Sequence, residues 1–386
     1  MLKRIVLTSM TFAEFFAGIG LVRLGLERSG WKCLFANDID PAKFQMYKAQ
    51  FPDAAKHFVL DDIRNVDARS IPYVDLATAS FPCTDLSLAG SRAGLKGEQS
   101  SALWPFLELL RNLHVARPKL VMLENVTGFL TSHGGRDFKS ALLGLNRLGY
   151  AVDAFVLDAV HFVPQSRQRL FVIGKYRRRD GLKERPCRTL KFFESTLRPP
   201  ALAEFIWANA DVRWDLRALP EPPAISHHLS DVLETLPEEA PEWWSPARTE
   251  YLLNQMSDRH RAAAAKMICG KQISYGTVFR RVRNGKSMAE LRTDGIAGCL
   301  RTPKGGSGRQ ILFVAGNGQC RARLLTPREC ARLMGADDFP ITVPLNQALF
   351  GFGDAVCTHA IDWIARNYLN PTLREVSTAE QTLNYG

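Results

Sequence analysis

Over its first 175 residues the chain alternates short β-rich runs with stretches of helical spacing, and this alternation limits the possible folds more than any other feature. The runs are FAEFF (12–16), KCLFA (32–36), VDLATAS (74–80), LVMLE (120–124), AVDAFVLD (151–158) and RLFVIG (169–174). Between them, residues 41–50, 101–116 and 137–148 carry apolar side chains three and four apart, which puts those side chains on one helical face. The segment 101–116 is the clearest, with Leu103, Leu107, Leu110, Leu113 and His114 on one side. Strands alternating with helices build βαβ units, so the expected fold class is α/β, a doubly wound and mostly parallel sheet. At 386 residues and 46% hydrophobic, the chain can fill that core and a smaller second unit.

Beyond Tyr176 the texture changes. Arg177, Arg178 and Arg179 precede a stretch with prolines at 186, 199, 200, 220, 222, 223, 237, 241 and 246 and little periodicity, which reads as a boundary followed by an irregular region. From about Arg321 helical spacing returns in TPRECARLMG and CTHAIDWIARNYL, and the last fifteen residues are polar and expected to fray.

The formal charge of +11 and a pI near 9.4 suggest a polyanionic partner, because lysines and arginines that neutralise phosphates gain affinity by releasing counterions. Eight cysteines are scattered without a CxxC pair or zinc spacing, so reduced thiols and no metal are expected. No run of about 18 uncharged apolar residues occurs, and the N-terminus lacks signal-peptide features. These point to a soluble, intracellular protein with no membrane association.

Four segments carry chemistry. Phe16-Ala17-Gly18-Ile19-Gly20 follows a strand and opens a helix, where a glycine turn lets a ligand approach the backbone. Asp38, with Ile39 after it, ends the second strand, and its carboxylate suits a ribose diol. Asp62-Ile63 adds an acceptor for an adenine amine and an apolar surface for its ring. Because GIGLVR does not complete GxGxxG, an adenosyl ligand fits better than NAD. Next, Ser80-Phe81-Pro82-Cys83 follows on from the run at 74–80, which makes Cys83 a candidate nucleophile at the ligand edge of such a sheet. Glycines 90, 94 and 97 after it suggest a mobile loop able to close over substrate. Glu124-Asn125-Val126 ends the run at 120–124, where a buried carboxylate needs a partner or a task. Finally, in Gln165-Ser166-Arg167-Gln168-Arg169 alternate residues share one face, setting two guanidinium groups side by side. Taken alone, each segment also has a structural reading: a turn beside a surface aspartate, a small buried thiol, a helix cap, a solvated edge strand.

These pieces, in this order, resemble the cytosine-5 DNA methyltransferase family of the restriction-modification type. LRT (300–302), LTPRECARLMG (325–335) and GFGDAV (351–356) complete the set, so the resemblance spans about 11–175 and 290–369. It implies a Rossmann-like class I methyltransferase fold in which 11–176 is the first part of the catalytic domain. Residues 178–290 would be a target-recognition domain that uses arginines such as Arg280, Arg281 and Arg283. Residues 291–370 would finish that domain and return to the catalytic one, leaving 371–386 as a polar tail. The resemblance implies that Cys83 attacks carbon 6 of a flipped-out cytosine while Glu124 engages N3 and the exocyclic amine. Arg167 and Arg169 would line the base pocket, Arg167 near the cytosine carbonyl or the cysteine, and Asn125 would orient Pro82 and Glu124. Phe16, Ala17, Gly18, Ile19, Gly20, Asp38, Ile39, Asp62, Ile63, Leu103, Asp354, Ala355 and Val356 would line the site for S-adenosylmethionine, with S-adenosylhomocysteine as product.

Departures from the family pattern are Leu21 for a third glycine, Ser80 for a glycine, Thr84 for a glutamine and Asp354 for an asparagine. Asp354 could alter cofactor affinity. The expected partner is double-stranded DNA, with a cognate endonuclease acting on the same site. The chain is expected to act as a monomer in a prokaryotic or phage-programmed cytoplasm, on the nucleoid through DNA. The alternatives are a tRNA cytosine-5 methyltransferase, whose usual Cys-Phe-Thr signature is absent, and a silent DNA-binding relative, against which Cys83, Glu124 and both arginines argue.

Overall fold

The computed structural model describes residues 9–82, 102–177, 193–283, 285–302 and 308–384. The first part runs β1 (Met10–Phe15), α1 (Leu21–Arg28), β2 (Trp31–Asp38), α2 (Pro41–Gln50), β3 (Phe58–Leu60), β4 (Leu76–Ala79), α3 (Leu103–Asn112), β5 (Leu120–Val126), α4 (Gly128–Thr131), α5 (Arg136–Arg147), β6 (Tyr150–Asp158) and β7 (Gln168–Tyr176). The sheet order is β3-β2-β1-β4-β5-β7-β6. Its pairings are parallel except those of β7, which runs antiparallel to both neighbours. The expected α/β, mostly parallel sheet is therefore present.

Helices on both faces explain why these strands read as continuous apolar runs rather than alternating ones. On one face Phe106, Leu110, Leu142 and Leu145 pack against Phe15, Val121 and Leu123. On the other, Val22 and Leu26 of α1 join Phe12, Met122, Phe155 and Phe171. Leu103, Leu107, Leu110 and Leu113 are buried as the spacing predicts, but His114 is exposed in a turn at φ 48°.

Strand order reverses between β1 and β4, so the crevice beyond their carboxyl ends is where a ligand site is expected. Antiparallel β7 matters here. Its N-terminal end lies at the same edge, with Arg169 in register with Val126.

After α6 (Pro200–Ala208), residues 209–245 contain only a short turn of helix at Leu229–Val232. Part of this stretch has a task. Val156 of edge strand β6 donates to the Leu197 carbonyl, Val152 donates to that of Arg213, and Asp215 donates back to Val152. Buried Asp153 locks the arrangement, accepting from Arg198 Nη2 at 2.7 Å, Arg217 N–H at 2.9 Å and Tyr368 Oη at 3.1 Å.

The region read as irregular also contains regular structure. Helices α7 (Pro246–Asn254) and α8 (Asp258–Ile268) back an antiparallel sheet of order β11-β10-β8-β9, formed by β8 (Ser274–Arg283), β9 (Lys286–Arg292), β10 (Ile311–Gly316) and β11 (Gln319–Leu324). Its small core holds Leu252, Met256, Val278, Leu291 and Phe313.

The chain then returns through α9 (Pro327–Arg332), α10 (Leu345–Asp354) and α11 (Thr358–Ile364), the last packed so closely on α1 that a Cβ at Gly25 would come within 2.6 Å of Ile361. A π-turn, Ala365–Leu369, leads into α12 (Asn370–Asn384). The fraying expected after 370 is thus corrected: Leu373 and Val376 are buried, extending the apolar stripe begun by Tyr368 and Leu369.

A buried ion pair joins the second sheet to α9. Glu329 accepts from Arg323 Nη1 at 2.7 Å and Nη2 at 2.5 Å, and from the backbone N–H groups of Thr326 and Glu234 at 2.8 and 2.9 Å. Thr326 caps α9 in a capping box with Glu329. Removing one partner of such a pair strands the other charge without water, at about 3–5 kcal/mol. Glu329→Ala is therefore expected to lower unfolding free energy by about that amount in urea titration, and Glu329→Gln by less.

Candidate functional site

The glycine turn after β1 is held from β2. Asp38 Oδ2 accepts from Gly18 N–H at 2.7 Å and Oδ1 from Asp40 N–H at 2.9 Å, while Ala17 N–H donates to the Asn37 carbonyl. Phe16, Gly18 and Gly20 all have positive φ. The two glycines serve different ends. A Cβ at Gly20 would come within 2.4 Å of the Phe51 ring, whereas one at Gly18 would meet nothing within 4 Å. Gly18 therefore borders open space at the switch point, and a nucleoside could approach the backbone there.

The surrounding residues suit such a ligand. Ile39 is 64% exposed, an apolar platform beside the half-tied Asp38 carboxylate, while Ile19, Ile63 and Leu103 are buried beneath the turn and along the flanking elements. Asp62 is less free than expected. It caps the turn at Ile63–Asn65, accepts from Arg64 N–H at 2.9 Å and pairs with the Arg64 guanidinium at 2.8 Å.

Glu14, a charge inside an otherwise apolar strand, is a residue the motif reading missed. It is buried beneath the turn, and Oε1 accepts from Arg23 N–H at 3.3 Å while Oε2 has no partner among the described residues. Burial pushes its carboxyl up to about 8, against the pull of Arg23.

At the ends of β4 and β5 a second group of side chains gathers. Glu124, buried, meets Arg169 Nε at 3.1 Å through Oε1. Burial pushes its carboxyl above the usual range, while Arg169, Arg167 and the Ser80 hydroxyl pull it back. Asn125 Nδ2 donates to the Phe81 carbonyl at 3.1 Å and Oδ1 accepts from Val126 N–H, so β5 holds the backbone that leads into exposed Pro82. Cys83 and the glycine-bearing segment after it lie outside the described residues.

In QSRQR, Gln165 and Arg167 are buried and Arg169 half-buried, while Gln168 faces water. Arg167, expected near the cytosine carbonyl or the cysteine, is turned into the protein. Only 2% exposed, it donates from Nη1 to the Leu300 carbonyl at 2.8 Å and to Cys299 Sγ at 3.2 Å, and from Nη2 to the carbonyls of Gly353 and Ala355 at 2.9 and 2.5 Å. Both terminal nitrogens are thus engaged by the protein, and only Nε lacks a partner among the described residues. These contacts suit a positioning group, and the thiol it meets among the described residues is Cys299. There, although burial works against the thiolate, the guanidinium groups of Arg167, Arg169 and Arg301 bring the Cys299 thiol below its usual range. Gln165 ties the same segments, donating to the Leu333 carbonyl and accepting from Leu300 N–H.

Through Arg167 the stretch Asp354-Ala355-Val356 comes to the same edge. Asp354 pairs there with Lys43 Nζ at 2.7 Å, and Val356 is buried against the α1 side of the sheet.

A family model described as C-5 cytosine-specific DNA methylase matches residues 10–370. Over 363 residues the chain is 28% identical to the Type II methyltransferase M.DsaV of Dactylococcopsis salina, covering 94% of this chain and 86% of that protein. It is 26% identical over 363 residues to the Type II methyltransferase M.HhaI of Haemophilus parahaemolyticus, covering 94% of each. Among solved structures, the S. pombe Dnmt2 methyltransferase has a TM-score of 0.62 over 94% of this chain and 99% of its own, at 16% identity, a likeness of fold alone.

Glu14 sets a pH dependence. An acid whose folded value is raised from 4.5 to about 8 keeps its proton in the folded chain where the unfolded chain has released it. Stability tied to Glu14 is therefore full below 4.5 and falls as pH rises through that window. Glu14→Gln removes the ionisation, so its urea midpoint should gain on the parent's between the acid and alkaline ends of the window. A constant difference across it would contradict the assignment.

Proposed function

The chain belongs to the C-5 cytosine-specific DNA methylase family and is a DNA cytosine-5 methyltransferase, and we propose that it methylates a cytosine flipped out of duplex DNA at a specific sequence, through a covalent Cys83 adduct. The observation that carries this reading is Glu124: a buried carboxyl with a raised proton affinity, held by Arg169 beside backbone that leads to Cys83.

The open space over Gly18, the Asp38 carboxylate and the exposed Ile39 surface fit the nucleoside of S-adenosylmethionine. Phe16, Ile63 and Leu103 line that side, and Asp354, Ala355 and Val356 face it from the returning segment. Bound there, S-adenosylmethionine supplies an electrophilic methyl group for carbon 5.

The chain's own residues do the rest. The Cys83 thiolate adds to carbon 6 while Glu124 gives a proton to N3 and accepts from the exocyclic amine, so electron density collects at carbon 5. Arg169 keeps Glu124 in place, Arg167 fixes the segments around it, and Asn125 fixes the approach to Pro82. After methylation, a water removes the proton at carbon 5, the carbon–sulfur bond breaks, and N3 returns its proton to Glu124.

Residues 178–290, continued by β10 and β11, would form the target-recognition domain. Arg281, lying 4.5 Å over the Phe279 ring, and Arg280 are suited to phosphates and base edges. Duplex DNA is the macromolecular partner, the protein acts as a monomer in the cytoplasm, and an endonuclease of the same specificity is its counterpart.

Cys83→Ala should abolish methyl transfer yet leave S-adenosylmethionine binding nearly intact, and DNA with 5-fluorocytosine at the target should form an adduct that survives denaturation. Turnover in the alanine variant would end the proposal. Glu124→Gln should lose roughly 10²- to 10⁴-fold in rate, the scale of general acid catalysis, with DNA affinity retained. Expression in a methylation-free host followed by bisulfite sequencing should reveal one methylated motif, whereas methylation of tRNA alone would favour an RNA substrate.

A further inference from the structure

One ion pair at the rim of the proposed cofactor site has no part in the chemistry above. Lys43 Nζ meets Asp354 Oδ2 at 2.7 Å, joining the first turn of α2 to the last residue of α10. The two side chains are 21% and 47% exposed. A pair so open to water adds little to stability, so its interest lies in where it stands. Lys43 also lies in the field of Asp38 and Asp40, the carboxylates at the start of α2, and Asp38 is the group that holds Gly18 N–H. Three carboxylates and one ammonium therefore form one cluster, tied through Asp38 to the turn at Gly18. Asp354 cannot drift from that edge, because Arg167 grips the carbonyls of Gly353 and Ala355 on either side of it and itself lies in the field of Glu124.

We propose that the Lys43–Asp354 pair tunes the site's preference for the cationic cofactor over its neutral product. This rests on the cofactor reading above. S-adenosylmethionine and S-adenosylhomocysteine share the adenosine, the ammonium and the carboxylate, and differ in charge only at sulfur, where the sulfonium carries one positive charge and the thioether none. Fixed charges at the rim act on that difference. Asp354 favours the sulfonium form and Lys43 opposes it, so each changes the ratio of the two affinities more than their common strength.

The test is isothermal calorimetry of both ligands with the full chain, the variants Asp354→Asn and Lys43→Gln, and the double variant. With Asp354→Asn the preference for S-adenosylmethionine over S-adenosylhomocysteine should fall roughly fivefold, the scale of one partly screened unit charge. With Lys43→Gln it should rise. The double variant should return near the parent ratio, and the effects should shrink with added salt. An unchanged ratio in Asp354→Asn, including a parallel loss of both affinities, would overturn the proposal while leaving the cofactor reading intact. Failure of the parent chain to bind either ligand would overturn the cofactor reading itself.

Discussion

The buried guanidinium of Arg167 holds together the edge where the proposed site lies. Taking a charge out of water is costly unless hydrogen bonds replace the lost hydration. Here the Leu300, Gly353 and Ala355 carbonyls and the Cys299 sulfur replace it. These acceptors come from two segments far apart in the chain, 299–300 and 353–355, which share one donor between them. One side chain thus fixes the wall of the proposed base pocket and the rim of the proposed cofactor site. Those parts are expected to respond together when either ligand binds.

The direction of β7 makes this possible. In a wholly parallel sheet the residues preceding a strand would lie at the edge opposite the strand ends. Because β7 is antiparallel, Arg169 near its start arrives beside Glu124, with Arg167 close enough to act on its charge. The strands of the first lobe would supply one side of the proposed pocket, and the returning segment 297–301, bridged to Gln165 at Ala297, the other.

Local features were legible in the sequence. The strand runs, the helix at 103–112 with its leucine face, and the glycine turn depend on spacing within a few residues, and the folded chain shows them where the spacing points. What depends on distant partners was not legible. Nothing near Arg167 announces carbonyls more than 130 residues away. The second sheet forms by pairing β8 with β10 across more than 30 positions, so its strands leave no long periodic signal. The C-terminal residues looked polar because only a narrow stripe, Leu373 and Val376, touches the core. Glu14 was overlooked because a single charge within an apolar run resembles noise in the pattern.

The proline-rich stretch after β7 also has a consequence for how the chain survives its own synthesis. Strand β6 would otherwise present unpaired N–H and carbonyl groups along an open margin, a template for pairing with another molecule. Residues 195–217 occupy that margin and are secured through Asp153. A first lobe released at the compositional boundary near 177 would expose a sticky strand. The visible seam in composition is therefore a poor place to cut, because the second part of the chain hides an edge of the first.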